Sequence, residues 1–327
     1  MASDPSNLEI AAAFDELADL YELDGAVVHR VLAYRGAAKS VRDAMVSVAG
    51  MTRQRRVTEL PGIGKTLEEK LVALLDTGTI PALEKLRAKY PPGLLDMTRL
   101  PGLGPKRARR LFDELGIDSP EMLRAAAEEQ RLRGLKGFGP KFEASVLSSL
   151  DAGIAERPAQ RVLLNRALTV GEQIVAALRE HPAAERVELA GSARRLTDSV
   201  KDLDIIATAS DPGALARALG ELDLIESASA PNDNAARGRT HTGLPVDLRV
   251  VEPANFGNLL QHFTGSQAHN VALREAAVRR GLHVSEYGIL DDATGETLRC
   301  ATEEEVYERL GLPYPEPELR ENRGELD

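Results

Sequence analysis

The spacing of hydrophobic and polar positions changes near the middle of the chain. Up to about Ile154, apolar residues recur at helical intervals, as in "LEIAAAFDELADLYEL" and "AVVHRVLAYRGAAKSVRDAM", and no strand alternation is sustained. After "GIAERPAQ" one further helix is predicted over "RVLLNRALTVGEQIVAALREH". Short β-branched runs follow: "RVELAGS", "DLDIIAT" and "TGLPVDLRVV". A helix, "DPGALARALGEL", separates two of them, with Asp211 placed to cap it and Pro212 in its first turn. From about Pro253 helical spacing returns in "AHNVALREAAVRRGL", and the Pro- and Glu-rich end, "GLPYPEPELRENRGELD", reads as a linker or truncated boundary. The pattern predicts an α+β chain: a helical N-terminal half, then a unit with a mixed or antiparallel sheet.

Within the helical half a short pattern repeats, as "LPGIGKTLEEKL" from Leu60, "LPGLGPKRARRL" from Leu100 and, less closely, "LKGFGPKFEASV" from Leu135. A helix, a tight Gly-x-Gly turn and a second helix make a helix-hairpin-helix. Gly62, Gly64, Gly102 and Gly104 let the backbone turn and let another backbone come close. The amides opening the second helix suit a phosphate, and Lys65, Lys106, Arg107 and Lys141 add charge nearby. Such contacts read no base sequence and are sensitive to salt. A single copy is equally a helix–helix turn with a glycine cap and solvated lysines. Two near-identical copies and a third favour DNA.

Charge sharpens that reading. The whole chain carries −10, yet residues 53–110 hold 13 Lys and Arg against 6 Asp and Glu, while residues 281–327 hold 4 against 13. The basic block coincides with the first two hairpins, as expected for a polyanion partner. The single cysteine, Cys300, excludes an internal disulfide and fits a reducing cytoplasm. It reads as a small buried hydrophobe. One Cys and six scattered His leave no structural zinc pattern. There is no apolar run long enough to span a bilayer and no signal peptide. "PGIGKT" has neither the spacing nor the preceding strand of a P-loop.

The chemistry concentrates in "GSARRLTDSVKDLDIIA". Residues i and i+2 of a strand share a face about 7 Å apart, so Asp202 and Asp204 lie together while Leu203 and Ile205 pack inward. Adjacent carboxylates repel, and a divalent cation relieves that; hard oxygen ligands suit magnesium or manganese. In "LPVDLRVV", Asp247 and Arg249 share a face, and Asp247 becomes a third carboxylate if the two strands are neighbours. Three carboxylates can hold two ions for in-line phosphoryl transfer. Gly191 and Ser192 offer amides and a hydroxyl to phosphate oxygens, and Arg195 a positive charge.

"GSARR…DLDII" with "VDLRV", "FTGSQAHNVALR" and "SEYG" resembles the family X DNA polymerases, the group that includes polymerase beta, and most of all its bacterial branch. The resemblance covers nearly the whole chain. It implies a nucleotidyltransferase palm with Asp202, Asp204 and Asp247 as a two-ion metal triad, Asp247 accepting the primer 3′-hydroxyl proton. Ser192 and Arg195 then hold the triphosphate, Phe263 and Gly265 line the sugar, Asn270 lies beside the incoming base and Arg274 near the template. Arg249 and the pair Glu286–Tyr287 match positions tied to closing, and a monovalent cation at the hairpins is allowed. His262 stands where vertebrate relatives have Tyr, Gln267 replaces an acidic residue, and Leu196 stands where a Gly is usual. In bacterial members a polymerase-and-histidinol-phosphatase domain usually follows; the expectation here is either a truncated chain or a member lacking that domain. The resemblance also implies a 5′-deoxyribose-phosphate lyase, with Lys70 as Schiff-base nucleophile and His29, Arg30, Tyr34 and Arg35 near a 5′-phosphate, although Arg30 and Thr66 replace lysines of the lyase family.

The expected division is a lyase-like DNA-end-binding domain at 1–88, a duplex-binding subdomain at 89–152, a palm at 153–253, a nucleotide-selecting subdomain at 254–315 and a boundary at 316–327. The expected activity is a monomeric, cytoplasmic, nucleoid-associated DNA-directed DNA polymerase. It fills short gaps during repair, using gapped or primer-template DNA and deoxynucleoside triphosphates. The competing readings are a nucleotidyltransferase with a non-DNA acceptor and a non-catalytic gap-binding scaffold.

Overall fold

The computed structural model describes residues 4–151 and 161–326, so the expected boundary at 152/153 lies outside the described residues. The chain divides into two compact units, residues 1–158 and 159–327.

The first unit is built from helices alone among its described residues: α1 (Asn7–Leu23), α2 (Val28–Asp43), α3 (Val48–Arg53), α4 (Lys65–Thr77), α5 (Pro81–Lys89), α6 (Pro92–Met97), α7 (Pro105–Leu115), α8 (Pro120–Glu128) and α9 (Pro140–Asp151). A capping box of Ser6 and Glu9 starts α1, whose Ile10, Phe14 and Leu17 are fully buried. The three hairpin turns share one design. Their first glycines, Gly62, Gly102 and Gly137, have φ of +78°, +77° and +93°. The hydrophobic residue that follows each, Ile63, Leu103 or Phe138, is buried in a single core. A positive φ reverses the chain, and the buried residue pins the reversal down.

Arg107 departs from its expected role beside a phosphate. Its Nη1 donates to Gly102 O at 2.8 Å and its Nη2 to Gly137 O at 2.7 Å. The guanidinium also stacks over Phe138 and Phe142 at 5.3 and 5.1 Å. It ties the second hairpin to the third, because two turn carbonyls and two ring faces already satisfy it.

The second unit comprises β1 (Val162–Leu163), α10 (Leu164–Arg179), β2 (Ala184–Leu189), α11 (Gly191–Arg194), β3 (Ser199–Val200), β4 (Leu203–Ala209), α12 (Pro212–Ala218), β5 (Ile225–Asn232), β6 (Ala235–Thr240), β7 (Pro245–Val250), α13 (Phe256–Thr264), α14 (Gln267–Val278), β8 (Leu282–Ser285), β9 (Gly288–Asp291), β10 (Thr297–Leu298) and α15 (Glu303–Arg309). Its main sheet is mixed, in the order β2-β4-β7-β6-β5. Strands β4 and β7 are parallel neighbours; the other pairs are antiparallel. Along β7, Val246, Leu248 and Val250 are buried and Asp247 and Arg249 half-buried, the alternation that the sequence carries. Helices α14 and α15 and strand β9 close a separate small core around Ile289, Cys300 and Tyr307.

The C-terminal segment is not the linker its composition suggests. Arg320 is fully buried, donates from Nε to Pro315 O at 3.1 Å, and pairs with Glu303. Its guanidinium lies over Tyr307 and Tyr314 at 5.3 and 5.1 Å. Leu312, Tyr314 and Leu326 pack on the same small core, so the segment is held by buried charge and apolar contacts together.

Candidate active site

The parallel register puts Asp204 directly beside Asp247. Asp202 stands exposed immediately before β4. Burial pushes the Asp204 carboxyl up to about 7; the neighbouring charges of Asp202 and then Asp247 push the same way, and Arg195 and Arg249 only partly offset them. The turn after β2 encloses this carboxylate. A Cβ on Gly191 would come 2.1 Å from Asp204 Oδ2, and Gly191 has φ of +63°, so both sterics and backbone demand glycine. Ala190 N donates to Asp204 O at 2.8 Å.

Asp247 has a different neighbourhood. Arg249 Nη2 donates to its Oδ2 at 3.2 Å, and Arg237 Nε stands 3.8 Å from the same oxygen. Arg249 Nε is 3.0 Å from Oδ1, but its N–H is misdirected, and both atoms are buried without a hydrogen bond among the described residues. No three His, Cys, Asp or Glu side chains among the described residues are gathered as a preformed metal cage. The donor set nonetheless fits a hard divalent cation. It is all carboxylate oxygen, one member repels its neighbours, and buried Asp247 Oδ1 has the Arg249 ion pair but no aligned hydrogen bond.

Arg195 is held on two sides, by Glu321 Oε1 at 2.7 Å from Nε and by Thr264 O at 2.8 Å from Nη1. Arg194 reaches Thr264 Oγ1 at 2.9 Å and Glu303 at 2.7 Å. Sequence reasoning missed Thr264, Glu303 and Glu321. The carboxylates come from a stretch rich in acids, where charge alone does not single out a partner. Leu196 has φ of +55°, a conformation suited to the glycine usual in the resembling family, and its side chain is exposed.

The "FTGSQAHN" stretch folds into a stapled turn between α13 and α14. Asn270 Nδ2 donates to His262 O at 2.7 Å and Gly265 O at 3.2 Å, and its Oδ1 accepts from Gln261 at 2.9 Å. The amide expected beside a base is thus committed to the turn. A Cβ on Gly265 would lie 2.4 Å from Asn270 Oδ1. Phe263 lies under Arg249 at 5.9 Å. His262 stands 3.5 Å from Glu286 and 3.4 Å from Arg274, and Tyr287 is exposed.

In the helical unit, Gly64 and Gly104 have ordinary negative φ, and a Cβ on either would meet nothing within 4 Å. Nothing inside the described residues requires glycine at either position. Lys65 and Lys106 are exposed in the first turns of α4 and α7. Lys70 is half-buried on α4; His29 and Arg30 are exposed at the start of α2. Tyr34 is turned inward, stacked on Tyr21 at 5.3 Å, and burial pushes its hydroxyl up to about 12. The Arg35 guanidinium is already taken by Asp19 at 2.9 Å and Glu22 at 2.8 Å. Neither side chain is therefore presented to a phosphate as the sequence expectation had it.

Comparison with known proteins follows the same division. Family models match at residues 5–80 (helix-hairpin-helix domain), 94–152 (SAM-like helix-hairpin-helix tandem) and 259–321 (DNA polymerase beta thumb). The chain is 34% identical to the DNA polymerase/3′-5′ exonuclease PolX of Bacillus subtilis over 98% of its own length and 55% of that protein. It is 25% identical to rat DNA polymerase lambda over 96% of this chain and 56% of the relative. To DNA polymerase lambda of Arabidopsis thaliana it is 24% identical, over 81% and 53%. It spans about half the length of these relatives.

Proposed function

This chain belongs to the family X DNA polymerases, and on that premise we propose that it is a DNA-directed DNA polymerase that fills short gaps during repair. The observation that carries the reading is the parallel register that sets Asp204 against Asp247, with burial first, and then the charges of Asp202 and Asp247, pushing the Asp204 carboxyl upward. Asp202, Asp204 and Asp247 would hold magnesium or manganese, which when bound lowers the cost of ionising the primer hydroxyl and neutralises the triphosphate. Asp247 takes the 3′-hydroxyl proton, the freed oxygen attacks the α-phosphorus, and pyrophosphate leaves. Ser192, the Gly191 turn and Arg195 hold the phosphates, and Phe263 and Gly265 border the sugar. Arg249, paired with Asp247 here, releases it when nucleotide binds.

The hairpins grip DNA through backbone amides and Lys65 and Lys106, with Arg274 near the template. The unfilled space at Gly64 and Gly104 supports close approach of a phosphate backbone. The helical unit serves the downstream DNA end and the duplex. A lyase step by Lys70, half-buried on α4, is a finer proposal. Borohydride trapping on an incised abasic site should cross-link the wild type and not Lys70→Ala.

The decisive experiment is single-nucleotide insertion on a one-nucleotide gap bearing a 5′-phosphate, with magnesium and then manganese. Templated insertion that disappears in an Asp202→Ala, Asp204→Ala double variant supports the reading. Gap binding without insertion under either metal overturns it in favour of a scaffold.

A further inference from the structure

The segment from Glu316 to Glu325 crosses the second unit as a strap anchored at both ends. At one end is buried Arg320, paired with Glu303, while Ser266 N donates to Arg320 O at 3.1 Å. At the other, Glu325 Oε1 lies 2.6 Å from Nδ1 of fully buried His269, whose Nε2 meets the Tyr307 hydroxyl at 2.8 Å. Glu325 also accepts from the backbone amides of Asn322 and Arg323, each at 2.6 Å. Between these anchors Glu321 sits on Arg195 Nε at 2.7 Å, at the wall of a cavity of about 740 Å³ lined by Arg195 and Arg323 and by the acids Asp198, Glu318 and Glu325.

We propose that Glu321 is a positioning residue for triphosphate capture: with Thr264 O, it fixes the Arg195 guanidinium so that the remaining Nη donors face the phosphate oxygens. The proposal rests on the reading of Arg195 as a phosphate ligand. Guanidinium has five N–H donors in a rigid fork. The Glu321 bond takes Nε and the Thr264 bond one hydrogen of Nη1. The other face of the fork stays available, and its orientation is set in advance of binding. The same carboxylate could instead be a competitor that the nucleotide must displace. The anchors argue against that: a removable competitor would not be strung between a buried Arg320 and a buried Glu325–His269 pair.

The test is the equilibrium Kd of a non-hydrolysable deoxynucleoside triphosphate for the full chain on one-nucleotide-gapped DNA with magnesium, beside single-turnover insertion. Glu321→Ala should weaken Kd about tenfold and leave the maximal insertion rate within about twofold. Glu321→Gln, which keeps an acceptor oxygen for Nε, should stay within about threefold of wild type. In an Arg195→Ala background, Glu321→Ala should add no further loss, because Glu321 acts only through Arg195. Tighter binding by Glu321→Ala overturns the proposal in favour of a competitor. Equal loss in the Gln and Ala variants, no loss in either, or additive losses in the double variant also overturn it. Unchanged affinity in Arg195→Ala alone removes the underlying phosphate reading instead. Loss in Arg195→Ala but not in Glu321→Ala removes only the positioning role.

Discussion

The two units treat charge in opposite ways. In the helical unit, several arginines and one lysine are answered within the unit, Arg87 by Glu16, Arg35 by Asp19 and Glu22, Arg53 by Asp4, Lys89 by Asp24, while Lys65 and Lys106 stay exposed beside the hairpins. It also leaves backbone open, at Gly64 and Gly104. On the sheet of the second unit, carboxylates face carboxylates, and a buried acceptor, Asp247 Oδ1, has an ion pair but no aligned hydrogen bond. A surface of bare amides flanked by a few exposed lysines is suited to a uniform polymer. A site of unreconciled charge is suited to an ion and to chemistry.

That contrast can be broken most forcefully at Asp204. Asp204→Asn should cut nucleotide insertion on the order of a thousandfold while leaving gapped-DNA affinity within about threefold, measured by single turnover and fluorescence anisotropy. The same variant should be more stable. An acid whose pKa rises on folding, here from 3.8 to about 7, costs the fold stability once the pH exceeds its unfolded value. The cost grows from about pH 4 and is complete above about pH 7, so Asp204→Asn should gain roughly 2–4 kcal/mol at pH 8 and almost nothing at pH 4 in urea titrations. Magnesium should raise the melting temperature of the wild type more than that of the variant.

The hairpins sharpen the other side. Gly104→Ala fits its negative φ and empty surroundings, so its melting temperature should stay near wild type while affinity for duplex falls about tenfold, with a strong salt dependence. Gly102→Ala, two residues earlier at φ of +77°, should cost about 1 kcal/mol of stability. The smallest effect is expected at Leu196→Gly, a gain of about 0.5–1 kcal/mol, because an exposed leucine now occupies a left-handed conformation.

The sequence announced the helical half, the three hairpins and the side-chain alternation of β7, because periodicity and glycine placement are local properties. It raised the pairing of Asp204 with Asp247 only as a condition, that the two strands be neighbours; a parallel crossover is a long-range choice that the residues between do not advertise. It missed Glu321 and Glu303, since one carboxylate among many looks like its neighbours until the chain has folded. It overestimated Arg107 and Arg35 as free charges for the same reason: composition counts cations, and packing decides which are already spent. The C-terminal strap was misread because its hold lies in buried Arg320, the Glu325–His269 pair and scattered apolar residues rather than in a continuous apolar run.

The register of β4 and β7 also determines where the gene can change length. Asp204 and Asp247 meet across strands separated by a helix and the β5–β6 hairpin. Codons added or removed at the hairpin tip near Asn232–Asn234 leave that meeting untouched. A single codon inserted between Pro245 and Val246 would turn the aspartate to the opposite face and bring a valine level with Asp204. Peptide tags, fluorophore sites and domain grafts therefore belong at that tip. The short stretch before Asp247 tolerates substitution far better than insertion.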